Sequence, residues 1–191
     1  MLRVLVIDET HSRAADVCAA LAMAGCQVAA ILPTSLDLVE QVEKLTPDIV
    51  LIDTDSPSRD TLEHLGVMDE RAPRPVIMLA HDNDRNTIRS AMQAGVSAYI
   101  VDGLDPSRVQ SVIDVAAATF DTFQGLRRER DEAQRKLADR KTIDRAKGIL
   151  MKARDMDEDA AYKALRKLAM DRGRTLAAVA QDVIDMSHLL G

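Results

Sequence analysis

The chain has 191 residues, is 47% hydrophobic and 29% charged, and carries a net charge of −6, so it is ordinary globular material long enough for one large or two small domains. Aromatics make up 2%, with no Trp, which argues against a stacking sheet of the RNA-recognition kind. No apolar run approaches the roughly 20 residues of a membrane span. No charged-then-apolar leader opens the chain, and Cys18 and Cys26 lack metal or redox spacing, so a reduced cytoplasmic protein is expected.

Charge is unevenly distributed. Residues 1–123 carry 9 basic and 19 acidic side chains, whereas residues 124–191 carry 16 and 12. An acidic first part and a basic tail suggest that only the tail meets a polyanion.

The first part alternates two hydrophobic periods. Short β-branched runs at Val4–Ile7, Val28–Ile31, Ile49–Ile52, Val76–Leu79 and Ala98–Val101 read as buried parallel strands. Amphipathic stretches lie between them, with Gly25 and Gly95 placed as left-handed helix ends. The pattern predicts an α/β fold with a doubly wound, five-stranded parallel sheet. Sites in such sheets lie at the carboxyl ends of the strands.

From Pro106 to Arg154 no further proline interrupts a helical pattern. Phe123, Leu126, Arg130, Ala133, Leu137 and Arg140 recur at three and four, a heptad seam that predicts a short coiled coil. Asp157 then caps a helix that breaks at Gly173, and Thr175 caps a last helix through Met186. The tail thus reads as a long helical stem followed by two short helices, too small for a core unless it packs on the stem or a partner.

Asp8 and Glu9 follow the first strand and Asp53 follows the third. Neighbouring strands would bring these three carboxylates to one rim, where their repulsion calls for a cation. Hard oxygen ligands of this kind suit Mg²⁺, and a carboxylate beside it can accept a phosphoryl group.

These acids, with Pro57 and the segment 75–101, resemble the response-regulator receiver family with its CheY-like fold. The resemblance implies Asp53 as phosphoacceptor and Asp8, Glu9 and Asp53 as Mg²⁺ ligands. Two positions depart from the family pattern. Ala80 stands where the family has a Ser or Thr hydroxyl, and Asp102-Gly103 stands where it has Lys-Pro. The usual hydroxyl-and-lysine switch is therefore missing, and a receiver used for protein docking is as good a reading as one switched by phosphate.

In the tail, Ala146-Lys147-Gly148 with Leu150 and Met151, then Ala161-Tyr162 with Leu165-Arg166 and Ala169-Met170, then Leu176 and Ala180, resembles the ANTAR domain. This is a three-helix RNA-binding antitermination module, and receiver plus ANTAR is similar to the NasT-like group of such regulators. The resemblance predicts a receiver at 1–120, a coiled-coil linker at 121–141 and an ANTAR module at 142–191. It implies antitermination of nitrate and nitrite assimilation genes, a double stem-loop leader RNA displacing a terminator hairpin, and restraint by a nitrate sensor of the NasS type. It also implies a homodimer holding two RNA loops.

On the residues themselves, Tyr162, Leu165 and Ala169 are expected on the core face of their helix. The phosphate-binding candidates are Arg145, Lys147, Lys152, Lys163, Arg166, Lys167, Arg172 and Arg174, because Lys and Arg contact phosphates and Arg stacks on splayed bases. Met151 and Met170 are expected as core or interface filler. One alternative is a phosphorylation-driven regulator in which Asp53 controls dimerisation. Another is a DNA-binding regulator, but the last helix, Thr175–Met186, contains no Lys or Arg with which to read a major groove. No independent base–nucleophile pair accompanies the acids, so the chain is not expected to be an enzyme.

Overall fold

The computed structural model describes residues 1–10, 13–35 and 37–190, excepting the side chains of 189 and 190, so the expected end of the tail module at Gly191 lies outside the described residues. The chain divides into two compact units, Met1–Gln124 and Gly125–Gly191.

In the first unit five parallel strands, β1 (Arg3–Asp8), β2 (Gln27–Leu32), β3 (Ile49–Asp53), β4 (Val76–Ala80) and β5 (Ala98–Val101), form one sheet in the order β2-β1-β3-β4-β5. The order reverses after β1, and the register sets Asp8 directly opposite Asp53. That is the switch point at which doubly wound sheets place their sites. The central strands β1, β3 and β4 are buried on both faces, which is why they read as unbroken apolar runs.

Alternate residues face opposite layers. Val4, Val6, Ile49, Leu51, Ile77 and Leu79 pack with Val17 and Leu21 of α1 (Ala14–Met23) and Val109 and Ile113 of α5 (Val109–Arg154). Leu5, Ile7, Val50, Ile52 and Met78 pack with Leu38 and Val42 of α2 (Leu38–Leu45), Leu65 and Met68 of α3 (Arg59–Arg71) and Ala91 of α4 (Arg85–Gln93). Gly95 ends α4 with φ +104°, and a Cβ there would sit 2.9 Å from the Asp69 side chain, so only glycine fits. Ser58 and Asp84 cap α3 and α4 by accepting from backbone N–H groups one turn in.

A 3₁₀ turn at Pro106–Arg108 leads into α5, which runs for 46 residues. In the second unit the last turns of α5 pack with α6 (Glu158–Arg172) and α7 (Leu176–Leu190). Ala146, Leu165, Ala169, Val179, Ala180 and Ile184 form this small core. The short helices thus obtain a core by enlisting the stem, as their size required. Asp157 caps α6 through Ala160 N–H, and Gly173 ends it with φ +60°. No described helix is long and apolar enough to cross a membrane.

Candidate functional site

The three acids lie at the carboxyl rim of the sheet. Asp8 ends β1, Glu9 follows it and donates its backbone N–H to Asp53 O at 2.9 Å, and Asp53 ends β3. Asp53 is 1% exposed. Burial pushes its pKa up, Arg13 draws it back, and the neighbouring Asp8 charge adds to the rise.

Each acid is engaged by protein groups. Asp8 Oδ1 accepts from Thr10 N–H at 3.1 Å and Thr10 Oγ1 at 2.6 Å, while Oδ2 accepts from the first N–H of α1, that of Ala14, at 3.1 Å. Glu9 Oε1 accepts from Thr61 Oγ1 at 2.9 Å. Asp53 Oδ1 accepts from Arg13 Nη2 at 2.6 Å, whereas Oδ2 is buried without a hydrogen-bond partner.

Arg13 and His81 have no part in the sequence pattern, yet they dominate the rim. Arg13 Nη1 contacts His81 Nε2, and His81 Nδ1 lies 3.5 Å from Asp102 Oδ1. No sequence signal marks Arg13, because only the fold brings it 2.6 Å from a side chain 40 positions away. Ala80 ends β4 fully buried and supplies no hydroxyl. Asp102 and Gly103 both take positive φ, +63° and +95°. A proline could not adopt the latter, so the missing Lys-Pro pair changes the backbone path as well as the charge.

In receiver domains an acidic site of this kind binds Mg²⁺. The carboxylates supply the right donor chemistry and share one rim. Among the described residues, however, no three of them are placed to hold a metal ion, and the cation on Asp53 is a guanidinium. As arranged, the site does not fit the ion.

The basic residues of the second unit separate into two groups. Lys147 is largely buried, its ammonium 2.8 Å from Asp144 and 2.7 Å from Glu158. Bonds to these two carboxylates raise its pKa above the ordinary lysine value. Arg145 contacts His188 at 2.8 Å, and Arg172 and Arg174 both reach Asp182, at 3.6 and 2.5 Å. By contrast, Lys152, Lys163, Arg166 and Lys167 are exposed and form no ion pair with another described residue.

Tyr162 departs from its expected core position. Ala161, Leu165 and Ala169 face the core of α6, while Tyr162 is 42% exposed. Three-residue spacing to Leu165 put it on the wrong side of a boundary that Ala161, a quarter-turn back, defines. Met170 and Met151, expected as core or interface filler, are 72% and 37% exposed, which leaves the interface alternative and not the core. Tyr162, Arg166 and Met170 therefore follow one another at four-residue intervals along an exposed stripe beside Lys163 and Lys167. Cys26 is buried and Cys18 partly so, and burial raises both thiols' pKa values.

The fold and this rim define a receiver. The family model for the response regulator receiver domain matches residues 4–114, and that for the ANTAR domain matches residues 131–184. The chain belongs to the response regulator receiver family and carries an ANTAR domain after its receiver. It is similar to the transcriptional regulatory protein PdtaR of Mycobacterium tuberculosis, 28% identical over 96% of this chain and 89% of that one. A shorter match, 38% identical over 53 residues, relates 28% of this chain to 13% of the nitrate regulatory protein of Klebsiella oxytoca. Among solved structures, the receiver domain of a modulated diguanylate cyclase from Desulfovibrio desulfuricans superposes with a TM-score of 0.56 at 20% identity, covering 64% of this chain and 98% of that one. The receiver domain of the response regulator NarL from Mycobacterium tuberculosis gives 0.54 at 21% identity, covering 61% and 96%. These two likenesses concern the fold.

Proposed function

We propose that the chain is an RNA-binding transcription antitermination regulator whose ANTAR module grips leader RNA and whose receiver serves as a docking domain. The observation that carries this reading is the exposed face of α6. Tyr162, Lys163, Arg166 and Lys167 stand together there, with no carboxylate among the described residues paired to the cations. A cationic strip with an exposed ring suits single-stranded loops, whose phosphates and unstacked bases are both accessible. An A-form duplex would hide its base edges from such a face. The described part of α7 offers no Lys or Arg, which weighs against major-groove reading of DNA.

The protein acts as a homodimer in this reading. Phe123, Leu126 and Leu137 on the predicted seam are 56%, 57% and 55% exposed, and a parallel copy of the same helix would cover them. Functionally the chain comprises a receiver at 1–120, a coiled-coil linker at 121–141 and an ANTAR module at 142–191. A dimer presents two modules to two stem-loops, which supports disruption of a terminator hairpin that competes with them. Nitrate and nitrite assimilation genes are the proposed targets, a reading supported by the short match to a nitrate regulatory protein. A nitrate sensor of the NasS type is the proposed docking partner of the receiver, and the protein works in the cytoplasm without an enzymatic reaction of its own.

Loss of the hydroxyl at Ala80 and of the lysine at Asp102 supports docking rather than phosphorylation of Asp53 as the control. In vitro transcription through a nitrate-operon leader tests the whole reading. Purified protein is expected to raise terminator read-through without a phosphodonor. Read-through that appears only with a phosphodonor would transfer control to Asp53, and none under either condition would refute antitermination.

A further inference from the structure

We propose that Arg13 is the built-in cation of the strand-end acid site, occupying the charge-neutralising place that a divalent ion takes in other receivers. A carboxylate as buried as Asp53 is costly unless a positive group is held against it. One cation of the family pattern is missing here. The lysine position after β5 is Asp102, and among the described residues no three acids are placed to hold a metal ion. The guanidinium of Arg13 meets the need from another direction, 2.6 Å from Asp53 Oδ1 and 3.5 Å from Thr54 O.

The surrounding groups hold it there. Asp8, which ordinarily would be a metal ligand, accepts the Ala14 N–H and so anchors the residue next to Arg13. His81 grips the other guanidinium nitrogen. Arginine has only donors, so His81 Nε2 must be the acceptor and the ring proton must sit on Nδ1, the nitrogen that faces Asp102 at 3.5 Å. The charge reversal at Asp102 then has a use. It steadies the His81 tautomer that receives Arg13, where a lysine would repel both. Four residues from four segments thus form one chain, Asp102–His81–Arg13–Asp53. A planar fork with five donors can serve Asp53 and His81 at once, which a lysine could not.

With this guanidinium on Oδ1, a divalent ion approaching the unpartnered Oδ2 of Asp53 meets a second positive charge, so the native chain should bind such ions weakly. Mn²⁺ binding, read from the electron paramagnetic resonance of the free ion, tests this on the full chain and on Arg13→Met. Circular dichroism and thermal melting check the fold of each. Arg13→Met is expected to bind Mn²⁺ at least about tenfold more tightly, equivalent to about 1.4 kcal/mol. The double variant Arg13→Met/Asp53→Asn should lose that gain. His81→Ala, at an exposed ring outside the core, should give a smaller gain and covers the case in which Arg13→Met does not fold. Equal affinity in native and variant chains, or a gain that survives in the double variant, would overturn the proposal. RNA binding plays no part in this experiment, so its outcome is independent of the antitermination reading.

Discussion

The ammonium of Lys147 lies 2.7 Å from Glu158 Oε1, tying the stem helix to the first turn of α6 across eleven residues of sequence. The same ammonium is 2.8 Å from Asp144, so this lysine bridges two carboxylates. Its motif position suggests an RNA contact, but its geometry is that of a strut within the module. Lys147→Met is accordingly expected to lower the melting temperature of the full chain, by a readily measured amount in differential scanning calorimetry. RNA affinity at a temperature where the variant remains folded should change less than in Arg166→Glu.

Arg166→Glu and Lys163→Glu change exposed residues with no ion-pair partner among the described residues, so neither should disturb folding. Each is expected to weaken RNA binding about tenfold or more and to reduce the slope of log affinity against log salt by about one, as loss of a phosphate contact does. Filter binding across a salt series, with circular dichroism as the folding control, measures both effects. An unchanged slope would remove these residues from the interface.

Tyr162 distinguishes stacking from charge. A base stacked on an aromatic ring is worth about 1–3 kcal/mol, so Tyr162→Ala should lower loop-RNA affinity roughly 5- to 150-fold while Tyr162→Phe retains most of it. Both variants should melt close to the native chain because the ring is 42% exposed. A large loss of stability in Tyr162→Ala would return the ring to the core.

The contrast between Tyr162 and the sheet shows which features a sequence makes legible. Strands β1, β3 and β4 are buried on both faces, so nearly every residue is apolar and their positions could be read directly. The caps at Asp157 and Gly173 were equally plain, since each uses a residue type with a local conformational reason. Tyr162 reads as core because one helical stripe admits residues on either side of its edge. The acid rim was legible for Asp8, Glu9 and Asp53, whose positions follow from strand ends. Arg13 and His81 were not, because their roles arise from contacts 40 and 68 residues apart in sequence that no local pattern encodes. The pairing of Lys147 was hidden for the same reason.

Asp53→Asn removes the ionisation of this carboxylate, whose burial outweighs the pull of Arg13, while its amide oxygen still accepts from Arg13. The sign with pH follows from burial, which raises the Asp53 pKa above the ordinary carboxylate value against the opposing pull of Arg13. The folded chain binds that proton more tightly than the unfolded chain. The cost of ionisation is therefore complete above the raised pKa and vanishes below the unfolded value. Thermal melts of the two chains are expected to differ most near neutrality and to converge as pH falls through that window.

The seam on α5 makes a separate demand. Leu126→Glu together with Leu137→Glu puts charge at two positions that a partner helix would bury, so sedimentation should show the proposed dimer weakened or lost. RNA with two stem-loops should then lose its advantage over RNA with one, because avidity depends on two linked modules.

Salt-dependent binding of the unphosphorylated full chain to a double-hairpin leader RNA, alongside loop-substituted RNA and duplex DNA, decides whether the protein is an RNA-binding antiterminator. Binding is expected to be tight, to depend on the loop bases, to weaken steeply with salt and to exceed binding to DNA of equal length. Equal affinity for loop-substituted RNA or for duplex DNA would contradict that reading.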